Sequence, residues 1–129
     1  MDYILFFGHI LLAAILGGLI GWQRRHMGKS AGFRTFALVS IGSTLFTILS
    51  LNAFSADPAR VASQVLTGIG FIGAGIIFHK KDSVEGLTTA ASFWSVAAIG
   101  MAVGAGWYIE SIIVTLVVFL VLASLVKKK

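Results

Sequence analysis

Hydroxyl and amide side chains interrupt the long apolar stretches of this chain, and they are the first candidates for chemistry. Serine and threonine can satisfy the carbonyl four residues back in their own helix, so most of them are expected to be structural. Gln64 differs, because its own helix cannot satisfy its amide. It either forms a hydrogen bond between helices or lines a polar pocket for a solute. The full set of polar candidates is Arg34, Thr35, Ser43, Thr44, Asp57, Arg60, Gln64, Thr67, Thr88 and Thr89.

Catalysis and metal binding have little support in these residues. The chain has no cysteine, which excludes thiolate ligands and cysteine nucleophiles. Its five acidic residues all fall near the ends of apolar segments, whereas ion pathways usually place ionisable groups in the middle of a span. No nucleophile and base can be paired among the polar residues. The sequence therefore predicts a protein that is not an enzyme, with no metal site and no cofactor.

Glycines form the second pattern. Gly68, Gly70 and Gly73 match the letters of a dinucleotide-binding G-x-G-x-x-G, but the strand, the helix and the acidic residue that the motif requires are missing. Close packing between membrane helices explains the glycines better, because small residues let helix backbones approach. The predicted packing glycines are Gly17, Gly21, Gly68, Gly70, Gly73, Gly75 and Gly100. Whether they pack within one chain or across a dimer stays open.

The composition predicts a membrane protein. Of the 129 residues, 57% are hydrophobic and 12% are charged, too apolar for a chain of this size in water. A spanning helix needs about 20 mainly apolar residues. We predict one all-α domain over residues 1–129, a polytopic bundle of about five transmembrane helices in a lipid bilayer, at 4–22, 33–54, 59–78, 87–104 and 107–126. The middle three are richer in Gly, Ser and Thr, so one of them is alternatively interfacial or re-entrant.

The basic residues predict the orientation in the membrane. Five spans put nine of the ten on one side: Arg24, Arg25, Lys29, Arg34, Lys80, Lys81, Lys127, Lys128 and Lys129. By the positive-inside rule that side is cytoplasmic, the N-terminus is outside and the C-terminus is inside. This arrangement explains the net charge of +5 without nucleic acid as a partner.

The remaining charged candidates lie at helix ends. Arg34 begins the second helix, where it either binds lipid phosphate or helix-end carbonyls, or simply extends to the interface. Asp57 followed by Pro58 is typical of an N-cap before a helix. Arg60, the one basic residue on the outer side, either pairs with Asp57 three residues earlier or simply extends to the interface.

Several motifs resemble one family in order and spacing. They are Ala31-Gly32-Phe33-Arg34-Thr35, Gly42-Ser43-Thr44-Leu45-Phe46-Thr47, Asp57-Pro58-Ala59-Arg60, the segment from Gln64 to Gly75, and Gly86-Leu87-Thr88-Thr89-Ala90-Ala91. Over most of residues 17–108 the chain resembles the MgtC/SapB family of membrane proteins. The family commonly has Glu-Arg-Glu after its first glycine-rich helix, whereas this chain has Gln23-Arg24-Arg25, so only Arg24 matches.

The resemblance implies a multi-pass protein of the bacterial inner membrane, linked to magnesium homeostasis, to acid resistance and to stress adaptation. The family is often labelled a magnesium transporter component, and some members regulate a membrane partner such as the proton-driven ATP synthase. Many members carry a C-terminal cytoplasmic domain. This chain is expected to be a short member, or one from which that domain has been removed.

The residues and the resemblance leave two possible functions. The first is association through helix packing, with a second copy (a dimer is favoured) or with another membrane protein complex. The alternative is a small ion or solute transporter linked to magnesium or protons, or a subunit of one. Its polar path would run along Ser43, Thr44, Gln64, Thr67 and Ser95.

Overall fold

The computed structural model describes residues 2–29, 31–80 and 83–124, and over these residues the chain is a bundle of five helices with one short hairpin. The all-helical prediction is confirmed. The elements are α1 (Tyr3–His26), α2 (Phe33–Asn52), α3 (Pro58–Ala74), β1 (Phe78–Lys80), β2 (Ser83–Glu85), α4 (Leu87–Gly104) and α5 (Tyr108–Ala123).

Helix ends follow local capping chemistry. Asp2 caps α1, because its carboxylate accepts hydrogen bonds from the backbone amides of Ile4 (3.0 Å) and Leu5 (3.3 Å). The last turn of α1 carries Arg24, Arg25 and His26, whose positive charge complements the C-terminal end of the helix dipole. α1 runs one turn beyond the predicted end at residue 22.

The third helix ends earlier than predicted, at Ala74 instead of residue 78. Gly70, Gly73 and Gly75 lower the helix propensity of its last turns, and Gly75 is the C-cap. The chain then forms an antiparallel hairpin in which Phe78 pairs with Glu85. Gly86 links this hairpin to α4 with a φ of 87°, and a Cβ there would collide with the carbonyl oxygen of Ile76. Only glycine therefore fits this position.

Three helices, α1, α2 and α4, are long and apolar enough to cross a membrane by length and composition. Among the described residues α5 is a shorter apolar helix, and α3 has 17 residues. Outward-facing apolar side chains are frequent, as expected where lipid is the solvent. On α5 they include Ile113, Leu116 and Leu120, which agrees with a lipid-facing helix.

The hydrophobic interior lies where α2 packs between α1 and α4. The largest fully buried side chains of this interior are Phe36 of α2 and Phe93 of α4, whose rings meet edge to face with 4.8 Å between centroids. Ile20 of α1 and Val96 of α4 are also fully buried. α3 and α5 pack on the outside of this three-helix core.

Candidate functional site

Close backbone contact between α1 and α2 depends on two of the predicted packing glycines. A Cβ on Gly17 would lie 2.7 Å from the carbonyl oxygen of Phe36, and one on Gly21 would lie 2.5 Å from that of Gly32. Real Cβ atoms do not approach backbone this closely. These glycines therefore pack within the chain.

The contact between α2 and α4 is equally close, and it uses two of the polar candidates. A Cβ on Gly104 would lie 2.7 Å from the carbonyl oxygen of Thr44. Gly100 faces Ser40 and Ser43 in the same way, with its Cβ position 2.9 Å from the Cβ of Ser43. The hydroxyl of Thr44 donates to the carbonyl of Gly100 (2.8 Å), and that of Ser43 donates to the carbonyl of Ala97. Both hydroxyls thus join two helices instead of bonding within their own.

The glycines of α3 have different surroundings. A Cβ on Gly68 or Gly70 would meet nothing within 4 Å. Gly73 is buried, and a Cβ there would lie 3.5 Å from the Cβ of Ala90 in α4; Gly75 ends the helix. Gly68 and Gly70 therefore have no packing role against another described helix of this chain.

A groove of about 450 Å³ runs between α2 and α3. Gly42 and Ser43 line it from α2, and Gln64 and Gly68 line it from α3. Leu38, Phe46 and Ile72 make most of the remaining wall apolar. The amide of Gln64 forms no hydrogen bond with any side chain or backbone group that the structure describes, and it is exposed. Thr67 is exposed on the same helix and is not among the residues that line the groove.

We call the bundle end formed by the end of α1, the start of α2, the hairpin and the start of α4 the basic end. Two residues that the sequence analysis did not single out as site candidates are buried there. The amide nitrogen of Gln23 donates to the carbonyl of Phe119 in α5 (2.8 Å), and Nη2 of Arg24 donates to the hydroxyl of Thr89 in α4 (3.0 Å). Their partners lie 96 and 65 residues away, so no local pattern could have revealed them.

Arg24 and Thr89 open onto a cavity of about 580 Å³ at the basic end, which we call the basic cavity. Thr88 and Lys29 also line it. The other two candidates at this end, Arg34 and Thr35, are exposed at the start of α2. Arg34, Gln64 and Thr88 thus lie in three different places and do not form a shared cavity.

The opposite end of the bundle holds the predicted pair of Asp57 and Arg60. Asp57 is the N-cap residue of α3, but its carboxylate accepts from Nε of Arg60 (3.2 Å) instead of from a backbone amide. Both side chains are exposed, so this ion pair adds little stability. Nearby, the hydroxyl of Tyr108 lies 2.7 Å from Nε2 of His9 and ties α5 to α1.

The described residues contain no group of three or more His, Asp or Glu that could hold a metal ion. The polar groups instead join helices, line the groove or line the basic cavity. The three helices that are long and apolar enough to cross a bilayer indicate a membrane protein.

Comparison with known families agrees with the resemblance seen in the motifs. The sequence profile of the MgtC family matches residues 10–129. The chain belongs to the MgtC family.

Curated relatives are similar over most of this chain. A Haemophilus influenzae protein, named "Uncharacterized protein", is 41% identical over 128 residues, which cover 91% of this chain and 54% of that protein. The Escherichia coli K12 protein "Putative magnesium transporter YhiD" is 49% identical over 77% of this chain and 50% of its own length. "Protein MgtC" of Brucella abortus is 44% identical over 88% of this chain and 48% of its own length. The chain thus spans about half the length of these relatives. No solved structure matches it.

Proposed function

We propose that this protein acts in the bacterial inner membrane by helix association, as a dimer whose two copies meet at the groove between α2 and α3. The groove carries the proposal because it combines an unbonded amide with glycines that face open space. In hydrocarbon such an amide is costly unless a partner satisfies it. Within the family, such an assembly would serve adaptation to low magnesium and acid.

Geometry on α3 favours a second copy as the partner. Gln64, Gly68 and Phe71 are exposed and spaced at i, i+4 and i+7, so they share one side of the helix. In a two-fold interface the residues close to the symmetry axis lie beside their own counterparts, and the proposed dimer places Gln64 there. A glutamine amide suits this arrangement, because it both donates and accepts and can pair with another glutamine. Gly42 and Gly68 leave room for the partner's backbone.

Cysteine cross-linking tests this proposal cleanly, because the natural chain has no cysteine. Gly68→Cys places a thiol in the groove without a clash, since its Cβ would meet nothing within 4 Å. We expect oxidation of membranes to convert Gly68→Cys into a disulfide-linked dimer. The control is Leu120→Cys on α5, where Leu120 is 67% exposed, and it should remain monomeric. Equal cross-linking of the two variants would reflect random collision and would contradict the proposal.

A second variant measures the contribution of the amide. Replacing Gln64 with Leu keeps the volume but removes the hydrogen bonds. Such bonds contribute about 0.6–2 kcal/mol between membrane helices, so the dimer constant should fall roughly 3- to 30-fold. Energy transfer between labelled copies in vesicles gives the association constant of the dimer.

If Gly68→Cys cross-links only to a different membrane protein, that protein is the partner and the proposed dimer is wrong.

Transport of magnesium or protons is the alternative, and the name of the Escherichia coli relative, "Putative magnesium transporter YhiD", supports it. Against it, the hydroxyls of Ser43 and Thr44 are engaged with carbonyls of α4, where the helices are in backbone contact. We therefore expect purified protein in liposomes to carry no more magnesium or proton flux than empty vesicles, as followed with trapped fluorescent indicators. Flux that depends on the protein and is lost in Ser43→Ala would favour transport.

A further inference from the structure

The basic cavity surrounds an arginine with an incomplete set of partners. Arg24 is 2% exposed and makes one side-chain hydrogen bond, to Thr89. Its Nε is buried without a partner among the described residues. The one ion pair between side chains that the structure describes is Asp57 with Arg60, so Arg24 has no carboxylate partner there. Its neighbours Gln23 and Arg25 supply none either. A buried guanidinium in this situation favours an anion.

The start of α4 provides a second, independent attraction for an anion. α4 has 18 residues, and the amide of Ala90 is the first that bonds to a carbonyl of the helix, that of Gly86 (2.9 Å). The amides of Leu87, Thr88 and Thr89 precede it and have no acceptor within the helix. The N-cap is Gly86, which has no side chain to satisfy them. The positive end of the helix dipole therefore lies at the cavity that Leu87, Thr88 and Thr89 line.

The described residues that line the cavity leave a positive balance. Among them, Arg24 and Lys29 are cationic, and Glu85 contributes one carboxylate from β2. These described side chains sum to a net charge of +1, to which the helix dipole adds. The hydroxyls of Thr88 and Thr89 supply neutral donors beside them.

We propose that the basic cavity binds a phosphate group. Arg24 and Lys29 bind its oxygens, and the amides and hydroxyls at the start of α4 donate to the same group. Phosphate suits this set because guanidinium matches its oxygens and helix N-termini are common phosphate sites. Soluble phosphate and the phosphodiester of an anionic lipid present the same chemistry. This site is independent of the dimer, since it lies outside the groove between α2 and α3.

Two probes distinguish the sources. The first is inorganic phosphate, titrated against chloride at constant ionic strength with the protein in neutral detergent. The second is phosphatidylglycerol, compared with phosphatidylcholine in nanodiscs. Thermal unfolding followed by tryptophan fluorescence reports binding, because a ligand of the folded state raises the Tm. Stabilisation by free phosphate indicates a soluble ligand, and stabilisation by phosphatidylglycerol alone indicates a lipid. Stabilisation by neither probe overturns the proposal.

Single substitutions test whether the phosphate binds in the basic cavity. Arg24→Lys keeps the charge but loses the planar donor set, and affinity should fall about tenfold or more. Lys29→Ala changes an exposed side chain, so it should fold normally and bind about 3- to 10-fold more weakly. If Arg24→Lys does not fold, Lys29→Ala alone still tests the proposal. The matched control is Arg25→Ala, which removes an exposed charge next to Arg24 and should bind as the natural protein does. If Arg25→Ala weakens binding as much as Lys29→Ala, the effect is general surface charge and the proposal is wrong.

Discussion

Gly100→Ala is expected to destabilise the protein by about 2–3 kcal/mol, in the upper range for overpacking. The added methyl collides with the carbonyl oxygen of Ser40 and lies 2.9 Å from the Cβ of Ser43. Backbone cannot move aside as a flexible side chain would. α2 and α4 must therefore separate, and this weakens the bonds from Ser43 and Thr44 as well. Unfolding in mixed micelles with rising dodecyl sulfate, followed by circular dichroism, gives the free energy.

The matched control for this prediction is Gly8→Ala. Gly8 is also a helical glycine, but its Cβ would meet nothing within 4 Å. Alanine there should leave the free energy of unfolding unchanged or raise it by up to about 1 kcal/mol through helix propensity. Equal losses in both variants would show that backbone contact between α2 and α4 is not what holds the core together.

Phe36→Ala is the second substitution with a large expected effect, and it should lower the free energy of unfolding by about 2–3 kcal/mol. In lipid the unfolded helices remain in an apolar solvent, so burial gives little transfer free energy. The cost comes instead from the cavity and from lost dispersion contacts, including the edge-to-face contact with Phe93. The expected loss is therefore set at or just below the lower bound of the roughly 3–5 kcal/mol known for Phe→Ala in water-soluble cores.

Phe7→Ala is the control that separates interior packing from contact with lipid. Phe7 is 62% exposed on α1 and loses few protein contacts, so the change should cost less than about 0.5 kcal/mol. The same unfolding measurement applies to both variants. If Phe7→Ala costs as much as Phe36→Ala, contact with lipid and not interior packing dominates the stability.

Much of the architecture was predictable because apolar length and charge placement act locally. The number of helices and the all-helical class follow from them. The ends of α1 and α3 do not. α1 continues because Gln23 and Arg24 find buried partners on α5 and α4, and no window of hydropathy contains those partners. α3 stops early because clustered glycines and the hairpin after them compete with the helix.

The roles of the polar side chains were predictable where they depend on the local helix, and not where they depend on another helix. Local bonding was expected for the hydroxyls, and Thr47, Ser50, Ser92 and Ser95 do bond to carbonyls four residues back. Ser43 and Thr44 instead bond to another helix, which depends on how Gly100 and Gly104 let α4 approach. Thr89 was a candidate from its type and motif, but its contact with Arg24 needs the fold. Tertiary contacts thus determine the role of each polar group, while sequence identifies the groups.

The short third helix also has a consequence for the surrounding membrane. At 1.5 Å per residue, the 17 residues of α3 span about 26 Å, less than the roughly 30 Å of a typical hydrocarbon core. Were α3 to cross the bilayer, as the sequence predicts, the lipids beside it would have to shorten or tilt, at a cost of a fraction of a kcal/mol for each ångström of mismatch. Two copies that cover their α3 helices against each other remove part of this deformed boundary. Longer acyl chains should consequently favour the pair, and shorter ones the single molecule.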